Sequence, residues 1–210
     1  SYTVYDPADN VLVSACGLTN VTPPTTVQEA IALYDANDSQ RQHTRVTVHE
    51  YDSLGRRVKT ISNAGTAWER TSLTVYDALD RVIRTIQNYV ADAGIPNPYV
   101  ADRSLFSHGI MGDENRISET VYNECGQVRK QVDALDNATL YGYDDAGRLV
   151  KTVVGASLPA YDNTYSTGDP DLSDYGPVSP ADDEDLITEQ AYDPAGNLVM
   201  SVGPAERTTY

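Results

Sequence analysis

The sequence predicts an all-β protein: tandem β-hairpins stacked as strand-turn-strand repeats into a spiral, solenoid-like or barrel-like sheet, with one short helix in an insertion. Three observations lead there. One pattern occurs six times, an extended run ending in Tyr-Asp or Tyr-Asn, a turn, and a basic or polar residue opening a second extended run. One position in every turn holds only Gly or Asp. The flanking runs are rich in Val, Thr, Ile, Leu and Tyr and alternate with a period of two, as strands do.

The copies read TVYDPADNVLVSA from Thr3, HEYDSLGRRVKTI from His49, TVYDALDRVIRTI from Thr74, TVYNECGQVRKQV from Thr120, YGYDDAGRLVKTV from Tyr141 and QAYDPAGNLVMSV from Gln190. The Gly-or-Asp position is Asp9, Gly55, Asp80, Gly126, Gly147 and Gly196. A hairpin built on a type I turn needs positive φ there, which Gly adopts freely and Asp tolerates. The residue after each repeat tyrosine is Asp6, Asp52, Asp77, Asn123, Asp144 or Asp193. Its side chain can fold back onto the turn's N–H groups as an Asx-turn.

Taken in order, the predicted hairpins cover residues 2–15, 45–62, 71–87, 117–132, 138–154 and 187–202 of a single array spanning 1–210. Alternation in the later copies puts Leu149, Lys151 and Val153 on one face, with Val82, Arg84, Ile86 and Leu198, Met200, Val202 in the same phase. Val150, Ile83 and Val199 fall on the other face, so both faces read as partly apolar. The repeat tyrosines Tyr5, Tyr51, Tyr76, Tyr122, Tyr143 and Tyr192 are separated by 46, 25, 46, 21 and 49 residues. Such bimodal spacing marks a repeat architecture with insertions, at 16–44, 88–116 and 155–186.

The first insertion carries TVQEAIALYDA, where Thr26 and Glu29 have the spacing of a capping box, predicting a helix over Val27–Tyr34. The second, with IPNPY and SHGIMGDEN, reads as an ordered loop. In the third, between Gly155 and Thr188, eight acidic residues meet no basic one, the pattern of a solvated excursion. The head SYTVYD begins inside a strand, and the tail GPAERTTY resembles the run DALDNATLY ahead of the fifth hairpin. Joined, they would read as a normal repeat junction, so the chain reads as a window on a longer array or a unit stacking head to tail.

Fifteen Tyr against one Phe and one Trp make tyrosine the main aromatic packing group. A Tyr ladder along stacked hairpins is the plain reading and a sugar-stacking platform the sharper one. A net charge of −16 argues against nucleic acid and anionic membranes as partners. No apolar run approaches the roughly 18 residues that suggest a membrane-spanning helix. Cys16 and Cys125 match no metal or redox spacing and read as unpaired thiols. Asn20, Asn37 and Asn137 open Asn-x-Ser/Thr triplets, acceptors for glycosylation if the chain is secreted.

His43, His49 and His108 form no ligand or nucleophile motif, and His49 reads as a surface or edge variant of a repeat strand position. Carboxylates in the hairpins have a turn role, so no catalytic residue is assigned and no enzyme is expected. Asp169, Asp171 and Asp174, followed by Asp182, Asp183 and Asp185, are hard oxygen ligands suited to calcium, although their spacing completes no EF-hand. No other cofactor is expected.

The Tyr-Asp-x-x-Gly-Arg-Leu pattern, clearest at Tyr143 to Leu149, resembles the YD repeats of the Rhs family, shared with the C components of insecticidal toxin complexes and with teneurins. The resemblance implies hairpins wound into a spiral sheet, which in large members closes into a hollow shell around a carboxy-terminal effector or forms part of an adhesion ectodomain. Toxin members end their shell in a self-cleaving motif resembling DPxGLxGG. Here Asp193-Pro194-Ala195-Gly196-Asn197-Leu198 is an ordinary repeat turn instead. The functional expectation is therefore a structural protein, extracellular or at the cell surface, scaffolding with neighbouring copies or adjoining repeats and extending as a fibre. Part of a toxin-enclosing shell is the alternative, and a carbohydrate-binding module using exposed Tyr or Trp68 is a second.

Overall fold

The computed structural model describes residues 2–16, 25–36, 45–91, 94–95, 97–101, 103–107, 112–155, 186–203 and 208–209 of the chain. It divides into two compact units, Ser1–Arg116 and Ile117–Tyr210. The first contains β1 (Tyr2–Tyr5), β2 (Val11–Cys16), α1 (Val27–Ala36), β3 (Arg45–Tyr51), β4 (Arg57–Ser62), β5 (Arg70–Tyr76), β6 (Val82–Gln87) and a 3₁₀ turn at Arg103–Leu105. Strands β1 to β6 each pair antiparallel with the next in chain order. The second is built from β7 (Arg116–Tyr122), β8 (Val128–Val132), β9 (Ala138–Tyr143), β10 (Leu149–Val154), β11 (Leu186–Tyr192), β12 (Leu198–Val202) and β13 (Thr208–Thr209). These also pair antiparallel in chain order. All six hairpins marked by the Tyr-Asp motif are formed.

The two faces differ more than simple alternation suggested. In the first unit Val13, Val48 and Ile61 stand opposite one another across β2, β3 and β4, and Leu73 stands opposite Ile86. The other face runs Ser14, Thr47, Ser62 and His49, Thr60, Ser72, with Thr74 opposite Thr85. In the second unit Leu140, Val153 and Ile187 align on one face, and Tyr141, Thr152 and Thr188 on the other. One face is apolar and the other carries mostly hydroxyls.

The correction comes from a β-bulge just after each turn. Register slips there, so Val82, Leu149 and Leu198 stand opposite Tyr76, Tyr143 and Tyr192 and out of phase with Arg84, Val153 and Val202. An extra residue in one strand shifts the alternation by one. Leu198 accordingly stays exposed while Val153 is fully buried.

Two insertions contribute to the first unit's core. Thr26 Oγ1 accepts from the Glu29 N–H at 3.1 Å, as an N-cap should. The Glu29 carboxylate reaches one residue further back than a capping box requires, accepting from the Thr25 N–H and hydroxyl at 2.8 and 2.9 Å. Helix α1 runs two residues past the predicted end and buries Ala30 among Val13, Ala15, Val46, Val48 and Ala64. On β6 Arg84 is buried, and its Nη1 donates to the Ala101 carbonyl of the connection beyond that strand at 2.6 Å. Buried Asn115 ties the same connection together, its Oδ1 accepting from the Val90 N–H and its Nδ2 donating to the Ser107 carbonyl.

Fully burying a Leu or Ile side chain stabilises by about 1.5–3 kcal/mol, against about 0.5–1.5 for a typical hydrogen bond. Leu73, Ile86, Ile117 and Leu140 therefore supply more of the holding energy than any single turn contact. Among the described residues no helix is long and apolar enough to cross a membrane.

Candidate functional site

The features most regularly repeated are the turns and the seams between successive hairpins. Asp9 and Asp80 adopt φ of 62°, and Gly55, Gly126, Gly147 and Gly196 lie between 77° and 88°. The N–H of this residue donates to the carbonyl of the Asp or Asn three positions earlier, for instance Gly147 to Asp144 at 2.8 Å. Asp144 Oδ1 then accepts from the Ala146 and Arg148 N–H groups at 3.0 and 2.8 Å. This is the Asx-turn the sequence suggested.

A seventh turn of the same kind joins β8 to β9, at the opposite rim of the second unit from the Tyr-Asp turns. Asp136 has φ of 66°, and Asp133 Oδ1 accepts from the Leu135 and Asn137 N–H groups. Val132 stands where the others have tyrosine, which is why a search keyed on Tyr-Asp misses it. The Asp-x-x-Asp-Asn spacing would have found it.

Each repeat tyrosine whose contact is described ties its hairpin to the previous one. The Tyr51 hydroxyl donates to the Val11 carbonyl at 3.0 Å, Tyr76 to Arg57 at 3.1 Å, Tyr143 to Val128 at 2.8 Å and Tyr192 to Leu149 at 3.1 Å. The acceptor is always the first residue of the preceding hairpin's second strand. This is the Tyr ladder in atomic form.

At three turns the closing residue, Arg56, Gln127 or Arg148, adds a second tie. Arg56 places Nε and Nη2 on Asp52 Oδ2, both at 2.7 Å, inside its own turn. Its Nη1 crosses to the next hairpin, to the Asp77 carbonyl at 3.0 Å and Asp80 Oδ1 at 2.7 Å, and its guanidinium lies 4.9 Å over the Tyr76 ring. Arg148 repeats this with Asp144, the Asp193 carbonyl and the Tyr192 ring. Gln127 reaches the Gly147 carbonyl at 2.7 Å. Asn10 and Asn197 instead bond the Asp of their own turns.

These contacts show in the carboxylates. The Arg148 side chain, then the turn's backbone N–H, holds Asp144 below the usual carboxylate range. Asn10 and Asn197 side chains do the same for Asp6 and Asp193. Burial raises the Tyr143 hydroxyl, with Tyr141 adding to it.

The remaining sequence candidates are scattered. Asp169, Asp171, Asp174, Asp182, Asp183 and Asp185 lie outside the described residues, as do Asn20, Asn37, His43 and His108. Asn137 is exposed, but its amide donates to Asp133 Oδ2 at 2.9 Å as part of the seventh turn. His49 sits half-buried on β3 between β2 and β4, away from any sheet edge, with Nδ1 3.2 Å from Thr60 Oγ1. Burial, then Arg57, lowers its pKa. Cys16 and Cys125 are free and exposed. Trp68 is exposed in the β4–β5 connection. Among the described residues, no three His, Cys, Asp or Glu side chains cluster to hold a metal ion.

No curated protein matches the sequence. Solved structures similar to it include a TcdB2-TccC3-TEV crystal structure, at 14% identity and TM-score 0.48, covering 95% of this chain and 7% of that one. A TcdB2-TccC3 crystal structure gives 13% and 0.47 over 95% of this chain and 7% of that one. The Photorhabdus luminescens Tc holotoxin pore with a mutated TccC3 gives 14% and 0.45 over 93% and 7%. This chain thus spans 7% of the length of those chains. The family model described as RHS Repeat matches residues 122–157, from the Tyr122 turn through the Asp133 turn to the end of the Tyr143 hairpin. Residues 122–157 thus match an RHS repeat, the kind of repeat that the Tyr-Asp hairpins resemble.

Proposed function

We propose that the chain is structural rather than enzymatic, a stretch of stacked sheet that forms part of the wall of an Rhs-type shell outside the cell or at its surface. The observation that carries this reading is the seam. At four hairpin-to-hairpin junctions the repeat tyrosine spends its hydroxyl on the neighbour's backbone, and Arg56, Gln127 and Arg148 reach across as well. Residues so committed serve stacking, and the partners that fit are adjoining repeats of the same protein. The RHS repeat supports a shell wall ahead of a filament.

Electron microscopy of the parent protein from its native source tests the reading. Closed hollow particles are expected; long filaments would favour the fibre, and dispersed particles with no enclosed volume would overturn both. A carbohydrate-binding role has one observation in its favour, the 77% exposure of Trp68. Glycan-array binding abolished by Trp68→Ala would support it, and a blank array would end it.

A further inference from the structure

We infer that at Arg56–Asp80 and Gln127–Gly147 the residue closing one turn and the positive-φ residue of the next form a recognition pair that selects which hairpin docks beside which. Positive φ is costly for any residue with a Cβ, so Gly is the default there. Gly55, Gly126, Gly147 and Gly196 conform, whereas Asp9, Asp80 and Asp136 hold φ of 62°, 62° and 66° without being Gly, so the turn itself accepts Asp and what stands out at Asp80 is its side-chain contact. Turn geometry explains why Asp is tolerated at that position but not why it is used.

The seam supplies the reason. Asp80 Oδ1 takes Arg56 Nη1 at 2.7 Å, a contact a glycine cannot make. Where the next turn has Gly147, the closing residue is Gln127, which takes the backbone carbonyl. Where it has Gly196, Arg148 turns to the Asp193 carbonyl at 3.3 Å. Arg56 makes the equivalent bond to the Asp77 carbonyl at 3.0 Å, so a closing arginine rests on a carbonyl in both cases and gains the carboxylate where the neighbouring turn offers one. The Arg56 guanidinium also lies over the Tyr76 ring, while the Tyr76 hydroxyl bonds the Arg57 carbonyl, so the junction is read from both sides. Asn10 bonds within its own turn, and the junction to the Gly55 turn shows no such contact from it among the described bonds.

The inference rests on the scaffold reading only for why hairpin order matters, and its test uses the chain alone, whatever particle the parent forms. Native-state hydrogen exchange is measured for the wild type, Arg56→Met, Asp80→Gly and the double variant. Asp80→Gly relieves the backbone in either background but forfeits Arg56 only in the first. It should therefore protect the β4–β5 seam amides more when Arg56 is already replaced, with a coupling of about two- to fivefold in the opening constant. Equal effects in both backgrounds overturn the inference. So does a change confined to the Gly55 and Arg56 amides, since Arg56 would then serve only its own turn through Asp52. Should Arg56→Met not fold, the Arg56→Gln, Asp80→Gly variant reproduces the Gln127–Gly147 pairing. Asp80→Gly should raise seam protection more in the Arg56→Gln background than in the wild type, and an equal gain in both counts against the pair.

Discussion

The Tyr143 hydroxyl donates to the Val128 carbonyl at 2.8 Å, and Val128 stands opposite Tyr122, the repeat tyrosine of the preceding hairpin. Tyr143→Phe removes the hydroxyl and leaves the ring. Urea unfolding should show a loss of about 0.5–1.5 kcal/mol. Because the folded hydroxyl titrates above its ordinary value of 10.0, its contribution is present below about pH 10 and fades as pH rises through the folded pKa. The gap between wild type and Tyr143→Phe should therefore narrow in strong alkali; a gap that stays constant would mean that folding does not shift the hydroxyl's titration.

Leu140 is fully buried against Val132, Ala138 and Val153. Leu140→Ala should cost about 2–5 kcal/mol from lost transfer energy and a residual cavity. Leu135, exposed in the adjoining turn, serves as the control. Leu135→Ala should change stability by less than about 0.5 kcal/mol, and calorimetry of the two variants would separate core from rim.

Asp6, Asp144 and Asp193 are held below the ordinary carboxylate value of 3.8 by side-chain partners and turn N–H groups. A depressed folded pKa contributes stability that is complete above the unfolded pKa and is lost as pH falls through the folded one. The melting temperature should thus be flat near neutrality and fall below about pH 4. Asp144→Asn keeps an acceptor for the turn but removes the charge, so its melting curve should depend less on acid; an unchanged slope would show that Arg148 does not hold the carboxylate.

Gly55 and Gly147 share φ of +77°, but a Cβ at Gly55 meets nothing within 4 Å while one at Gly147 comes 3.3 Å from Gln127 Nε2. Gly55→Ala should cost only the left-handed backbone, about 1–2 kcal/mol. Gly147→Ala should cost more, because Gln127 must shift by a few tenths of an ångström against its bond to the Gly147 carbonyl. Adding Gln127→Ala should erase the difference, as chemical denaturation of the three variants would reveal.

Much of this fold is legible because turns are local. An Asp or Asn, two residues and a Gly or Asp specify a turn whatever surrounds it, and each Tyr-Asp copy marks a real hairpin. What the pattern misses is non-local or out of phase. Leu149 and Leu198 change partners because each bulge adds a residue that simple alternation cannot anticipate. Arg84 reads as a polar strand position until the connection beyond β6 folds back to offer the Ala101 carbonyl. The basic character of Arg56 and Arg148 is plain in sequence, but their reach depends on which hairpin stacks alongside.

The Asp133 turn has a kinetic consequence. It leaves β7 through β10 joined by three tight connections, whereas β2 meets β3 only across the long excursion between residues 16 and 45. Loop closure costs more entropy as the loop lengthens, and contacts near in sequence form sooner. The run from Ile117 to Val154 is therefore expected to nucleate refolding, with the β2–β3 junction closing later. Pulse-labelled exchange should protect amides of β8 and β9 first. Earlier protection of Val46 and Val48 would reverse that order.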